Sequence, residues 1–232
     1  MEEIKKQLAR EAICLNVGGF RPGTALTDSW IGKVMLAATG ERWPIFEGNP
    51  MIPLCQINLK ELPYRPDILA DIEFITVFLD HERLPLDKPN GDGWCLRAYK
   101  DINELVALTQ PIHNSLIRPM PMRGVYIVDD FPQWEDDDFP LRDLFLDESN
   151  GLDFHAICEN AIGNKLGGWP TLLQGGLFSA NFNQDPAIPR YAFQIDSISM
   201  NNFSWGYGGI GYFGRGTAAG TEDNWYLEWQ SL

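Results

Sequence analysis

The chain has 232 residues, 44% of them hydrophobic and 12% aromatic, enough to bury a real core as one compact body or two fused lobes. Its formal net charge of −14 excludes sequence-independent binding to nucleic acid or to an anionic membrane, because such binding works by neutralising phosphates with Lys and Arg. A basic protein is the partner this charge attracts. No run approaches the roughly 18 apolar residues of a membrane span, and the opening Met1-Glu2-Glu3-Ile4-Lys5-Lys6 lacks the apolar stretch of a signal peptide, which predicts a cytoplasmic protein.

In chain order, residues 2–15 predict a helix, with Ile4, Leu8, Ala12 and Leu15 on one face and a stop at Val17-Gly18-Gly19. Short β-like runs follow, divided by Gly, Pro and Asn. They are Gly40 to Phe46, Leu54 to Asn58, Phe74 to Leu79 and Asp92 to Leu96. Two further helices are expected, over 102–109 with Asp101 as cap and over 152–162 with Asn150 or Asp153 at its start. The second half then repeats the first in order, with Gly167 to Leu173, Ala192 to Asp196, Ile210 to Phe213 and Asp223 to Leu227.

Trp-Pro, Gln-Ile-Asn/Asp, an apolar strand and Asp-x-Trp-x-Leu thus recur in one order, which reads as an internal duplication. The expected fold is α+β and β-rich. Two diverged copies of an antiparallel β unit, over about 29–100 and 163–232, are related by a pseudo-two-fold. Helices stand at the N-terminus and between the copies, and residues 101–162 form an acidic helical or loop connector within a single body of residues 1–232. Trp43 and Trp169 are expected at equivalent places.

The stretches Pro53-Leu54-Cys55-Gln56-Ile57-Asn58-Leu59-Lys60-Glu61-Leu62, Leu166-Gly167-Gly168-Trp169-Pro170-Thr171-Leu172-Leu173-Gln174 and Gln194-Ile195-Asp196 resemble the bacterial YwqG-like family of unknown function. The resemblance runs from about Ser29 to the C-terminus. It departs at Ser29 to Lys33, where a second glycine and a proline are absent, and at Trp169, where the family more often has another aromatic such as Tyr. It implies a β-rich fold with two similar halves and brings no activity and no catalytic residues.

The chemistry-bearing residues are sparse. His81, His113 and His155 stand in no ligand motif, and His155 with Cys158 supplies two ligands where a structural zinc needs four. Cys14, Cys55, Cys95 and Cys158 form no Cys-x-x-Cys pair and read as buried thiols. Gly206-Tyr207-Gly208-Gly209-Ile210-Gly211 fits a dinucleotide fingerprint, but no helix pattern follows it. Neither a nucleophile elbow nor a phosphate loop occurs, so no catalytic residue, metal or cofactor is assigned.

Charge is the informative feature. Residues 129–148 hold nine acids against the one base Arg142, a local net of −8, interleaved with Phe131, Trp134, Phe139, Leu141, Leu144 and Phe145. Asp129, Asp130, Trp134, Glu135, Asp136, Asp137 and Asp138 are the candidate partner-binding residues of a non-enzymatic protein that masks a basic partner, as immunity and antitoxin proteins do. The alternative is a small-molecule-binding or hydrolytic protein with a cleft between its halves, lined by Gln56, Asn58, Gln194 and Asp196. The same polar residues are also placed to satisfy backbone groups.

Overall fold

A computed structural model describes residues 1–86, 88–111, 115–136, 139–178 and 185–232. The chain opens with α1 (Glu2–Leu8), its acids in the first turn and lysines in the last, as the helix dipole favours. The expected helix ends there, because Ala9 turns extended at ψ 135°. Ile13, Leu15 and Val17 alternate with polar neighbours, and that period of two wins: Arg10–Val17 is a strand, β1, with Ile13 and Leu15 buried in the main core.

The remaining strands are β2 (Trp30–Ile31), β3 (Leu36–Ala38), β4 (Ile45–Phe46), β5 (Asn49–Pro50), β6 (Ile52–Asn58), β7 (Phe74–Leu79), β8 (Trp94–Tyr99), β9 (Leu105–Ala107), β10 (Met120–Asp130), β11 (Lys165–Gly167), β12 (Arg190–Asp196), β13 (Ile210–Arg215) and β14 (Trp225–Gln230). Ten of these form one antiparallel sheet in the order β14-β13-β12-β11-β1-β10-β2-β6-β7-β8. The centre is the long β1–β10 pair, in which Ile13 faces Tyr126 and Cys14 faces Val125. The short strands β11 and β2 flank it and each leads into a three-strand meander.

The two wings curl toward each other, so that the sheet nearly closes. Phe213 stacks on Phe193 with centroids 4.4 Å apart and meets Trp94 of the other wing edge-on at 6.2 Å. Arg215 grips Asp71 with two bonds of 2.6 and 2.9 Å, and the Trp229 indole donates to the Pro85 carbonyl at 2.7 Å. Ile57, Val77, Phe193, Ile195 and Trp225 all belong to this shared interior. Among the described residues no helix is long and apolar enough to cross a membrane.

The stretch read as a connector contributes more than expected. It supplies β10, whose inward positions include Gly124, where a Cβ would press on Leu62 and Ile13. The helix expected over 102–109 is a single 3-10 turn, Ile102–Glu104. Asp101 caps it as anticipated, and the chain then pairs as β9 with β3. Over 152–162 only α3 (Phe154–Ile157) forms, capped by Asp153. It stops because Asn160 and Ala161 are drawn to the Phe131 carbonyl and the Asp130 carboxylate. α2 (Arg142–Leu146) lies between them.

Candidate functional site: the acidic cap and the groove beside it

The acidic segment is a folded cap. Phe139 and Phe145, together with Phe154 of α3, turn inward and interlock with centroids 5.2 to 6.3 Å apart, and Trp134 meets Phe154 edge-on at 5.2 Å. Leu8, Phe131, Ile157 and Trp169 complete the cluster. The segment's one base, Arg142, pins it from within, donating to the Trp134 and Asp136 carbonyls at 2.8 Å each and lying 4.5 Å over the Trp134 ring.

The candidate partner-binding residues therefore part company. Asp129 and Glu135 are exposed, as are Asp143 and Asp147 elsewhere in the segment, and Leu144 and Leu146 stand 39% and 57% exposed. Trp134 is half-buried and committed to the ring cluster rather than to a partner. Asp136 is half-buried beside Arg10. Asp137 and Asp138 lie outside the described residues.

Asp130 corrects the expectation outright: it is 0% exposed and faces inward. Its Oδ2 takes the Lys165 ammonium at 3.0 Å and the Trp169 N–H at 2.7 Å, and its Oδ1 takes the Ala161 N–H at 2.7 Å. Lys165, also 0% exposed, donates in addition to the Ala161 carbonyl at 2.5 Å. Burial pulls this lysine below the usual range while Asp130 pulls it back. The Gly167-Gly168 pair has its reason here. Gly168 sits at φ +66°, and a Cβ on it would run into the Asp130 carboxylate and Ala12.

The four residues expected to line a cleft do not converge. Cys55 and Ile57 face the interior, as do Phe193 and Ile195, so by the alternation of a strand Gln56, Asn58, Gln194 and Asp196 point to the outside of the sheet. Four strands separate β6 from β12 in the sheet order. Gln56 is buried, accepting from Met35 N–H at 2.7 Å and donating to the Leu26 and Asp28 carbonyls. Gln194 does likewise with Thr171 N–H at 2.9 Å and the Gly163 carbonyl at 2.8 Å. Asn58 accepts from Lys60 N–H. Asp196 is half-buried, which raises its carboxyl above the usual range. The two glutamines tie loops to the sheet.

A cleft between the wings does exist, on other residues. A cavity of about 340 Å³ holds Arg10, Trp169, Arg190 and Tyr191. A second, of about 600 Å³, shares Arg10, Gly168, Arg190 and Tyr191 with it and runs on to Tyr64, Pro66 and Ile68 of the opposite wing. Trp169 is its wall: the indole donates to the Leu8 carbonyl at 2.7 Å, and the Arg10 guanidinium lies 3.2 Å from its ring centroid. Trp43 sits in different surroundings, bonded to the Met51 carbonyl and edge-on to Phe78, so the two tryptophans are not equivalent in environment.

Residues 31–214 match the model of a family described as "Domain of unknown function (DUF1963)". The chain belongs to that family. No curated protein matches it. The DUF1963 match spans the sheet from β2 to β13 and includes Asp130, Lys165, Trp169 and Arg190, while β1, with Arg10, and β14 lie outside it.

The other chemistry-bearing residues of the DUF1963 chain are dispersed. Among the described residues no three His, Cys, Asp or Glu side chains are grouped to hold a metal. His155 is exposed while Cys158 is buried, so they do not share a face. The four cysteines are free; Cys55 and Cys158 are buried and Cys14 and Cys95 half-buried, and burial raises all four thiols, Cys158 to about 11. His113 lies outside the described residues. The glycine run leads into β13, where Gly211 leaves room for the Trp205 ring. Lys165, Arg10 and Arg190 were missed by sequence reasoning. A lysine within the otherwise uncharged stretch Gly163-Asn164-Lys165-Leu166-Gly167 is the one local signal of a buried cation.

Proposed function

We propose that this DUF1963 protein is a non-enzymatic binding protein that masks a basic protein, in the manner of an immunity or antitoxin protein, with the outward face of the 129–148 cap. The observation that carries the reading is the inward turn of the aromatics. With Phe139, Phe145 and Trp134 packed underneath, Asp129, Glu135, Asp143 and Asp147 are presented from a packed base, with Leu144 and Leu146 exposed among them. Apolar anchors inside a charged rim are what a protein interface uses, and the opposite charge speeds encounter. Residence in the cytoplasm is part of this reading.

We also read the family as YwqG-like and the two wings as copies of one ancestral unit. Supporting this, β2-β6-β7-β8 and β11-β12-β13-β14 leave the central pair in the same sequence-ordered meander. Gln56 and Gln194 occupy corresponding places in them, each accepting from the backbone of the loop that crosses it.

The test is affinity capture with the intact chain from its source cell, followed by titration of the purified captured protein against rising salt. The expected partner is basic, its affinity falls with salt, and the Asp129→Lys/Glu135→Lys/Asp143→Lys variant weakens it at least tenfold while keeping its far-UV spectrum. Binding that ignores both salt and the charge reversal overturns the reading.

A further inference from the structure

Arg10 and Arg190 face the inter-wing groove in a chain of net charge −14. Several of its cations stand beside an acid: Lys60 with Glu73, Lys88 with Asp92, Arg97 with Glu41, Arg215 with Asp71. Among the described residues neither Arg10 nor Arg190 has a carboxylate within 4.0 Å, and neither guanidinium donates a hydrogen bond to the protein. Burial pulls the Arg10 guanidinium below its usual range; Asp136 favours its charge, and Arg190 is near enough to disfavour it.

Arg10 is also pre-placed. Its guanidinium lies flat on Trp169, and Trp169 is itself held at its backbone N–H by Asp130 and at its indole by the Leu8 carbonyl. Stacking uses the face of a guanidinium and leaves its edge donors free, in the planar fork that fits two oxygens of one acid. Gly167 and Gly168 form the adjoining wall without side chains. The acids nearby are occupied: Asp185 accepts from Ala187 N–H and the Tyr226 hydroxyl, and Glu11 accepts from the Tyr126 hydroxyl.

We propose that this groove is a binding site for a small organic oxyanion, whose carboxylate or phosphate is clamped between Arg10 and Arg190 while its body lies along Tyr191. Asp67 and Asp136 at the margins restrict the ligand to one oxyanion on an otherwise uncharged or cationic body, since a second anionic group would meet them. The site is separate from the outward face of the cap and does not depend on the masking reading.

The probes are benzoate and phenyl phosphate, titrated calorimetrically into the full chain at fixed ionic strength, with benzamide and chloride as controls. The expected result is saturable binding of at least one of the two anions and none of benzamide. Binding should be weakened at least tenfold by Arg10→Gln or by Arg190→Gln, and unchanged by Arg123→Gln, whose guanidinium lies over Phe20. Benzoate alone binding identifies a carboxylate site; phenyl phosphate alone identifies a phosphate site. A second measurement needs no variant: phenylglyoxal modification of the wild-type chain, mapped by mass spectrometry, should be slowed at Arg10 and Arg190 by the bound anion and not at Arg123. No saturable binding, or binding indifferent to both arginines, overturns the proposal.

Discussion

Between the wings, Ile57, Phe193, Ile195 and Phe213 share one buried apolar cluster, in which Phe193 and Phe213 stack; under the cap, the ring cluster stands against a fully buried ion pair whose carboxylate also holds two backbone N–H groups. The first region is held by contacts that are non-directional and roughly proportional to buried area. The second depends on one carboxylate having its geometry and its charge. Two nearly isosteric exchanges should therefore differ in how much they cost.

Asp130→Asn keeps the shape of the side chain and discards its charge, stranding the Lys165 ammonium where no water reaches. Breaking a buried pair in this way costs about 3–5 kcal/mol, read as a shift of the urea midpoint at unchanged slope. Ile195→Leu, in the apolar interior, keeps volume and should cost less than about 1.5 kcal/mol. Equal losses at the two sites would remove the distinction.

Gln194→Ala sharpens the comparison from the outer surface of the sheet. It leaves Thr171 N–H and the Gly163 carbonyl without their partner, a loss of about 1–3 kcal/mol, and Gln56→Ala should match it at Met35, Leu26 and Asp28. A much smaller effect at one of them would show that the two loops are tied differently.

The smallest effect is expected at the strut that closes the wings. Asp71 is held down to about pKa 2, from an ordinary 3.8, chiefly by its hydrogen bond to Arg215. Because the folded value is the lower one, this stabilisation is present above about pH 4 and is lost as pH falls toward 2. The carboxylate is 44% exposed, so water and salt screen it and its contribution stays under about 1 kcal/mol. Asp71→Asn should lower stability by up to that amount at neutral pH, leave it nearly unchanged near pH 2, and so flatten the acid limb of the stability curve.

Much of the sheet was legible because its strands carry their own pattern. Phe74–Leu79 emerges as written, the runs at Gln56, Gln194 and Ile210 fall inside β6, β12 and β13, and the run at Trp225 overlaps the start of β14. The centre of the sheet was hidden for physical reasons. In β1, Leu15 alternates with the strand but also falls on the helical face begun by Ile4, Leu8 and Ala12. In β10 a proline and an inward glycine break the apolar alternation, and the glycine is there because Leu62 and Ile13 fill its place. The site was less legible still. Asp130 reads like its neighbour Asp129, and only the fold, by bringing Lys165 and Trp169 N–H beneath it, separates the buried carboxylate from the exposed one. Gln56 and Gln194 were correctly singled out as a polar set on one strand face, but they hold loops rather than line a cleft.

Both proposals rest on the acidic segment being a packed cap moored by Asp130, and native-state hydrogen exchange of the Ala161 and Trp169 amides tests this most directly. These two N–H groups donate to that carboxylate, so the account predicts that they exchange only with global unfolding, as slowly as the amides of β12, and that Asp130→Asn speeds both. Exchange at the rate of an unstructured peptide in the unmodified protein would contradict it.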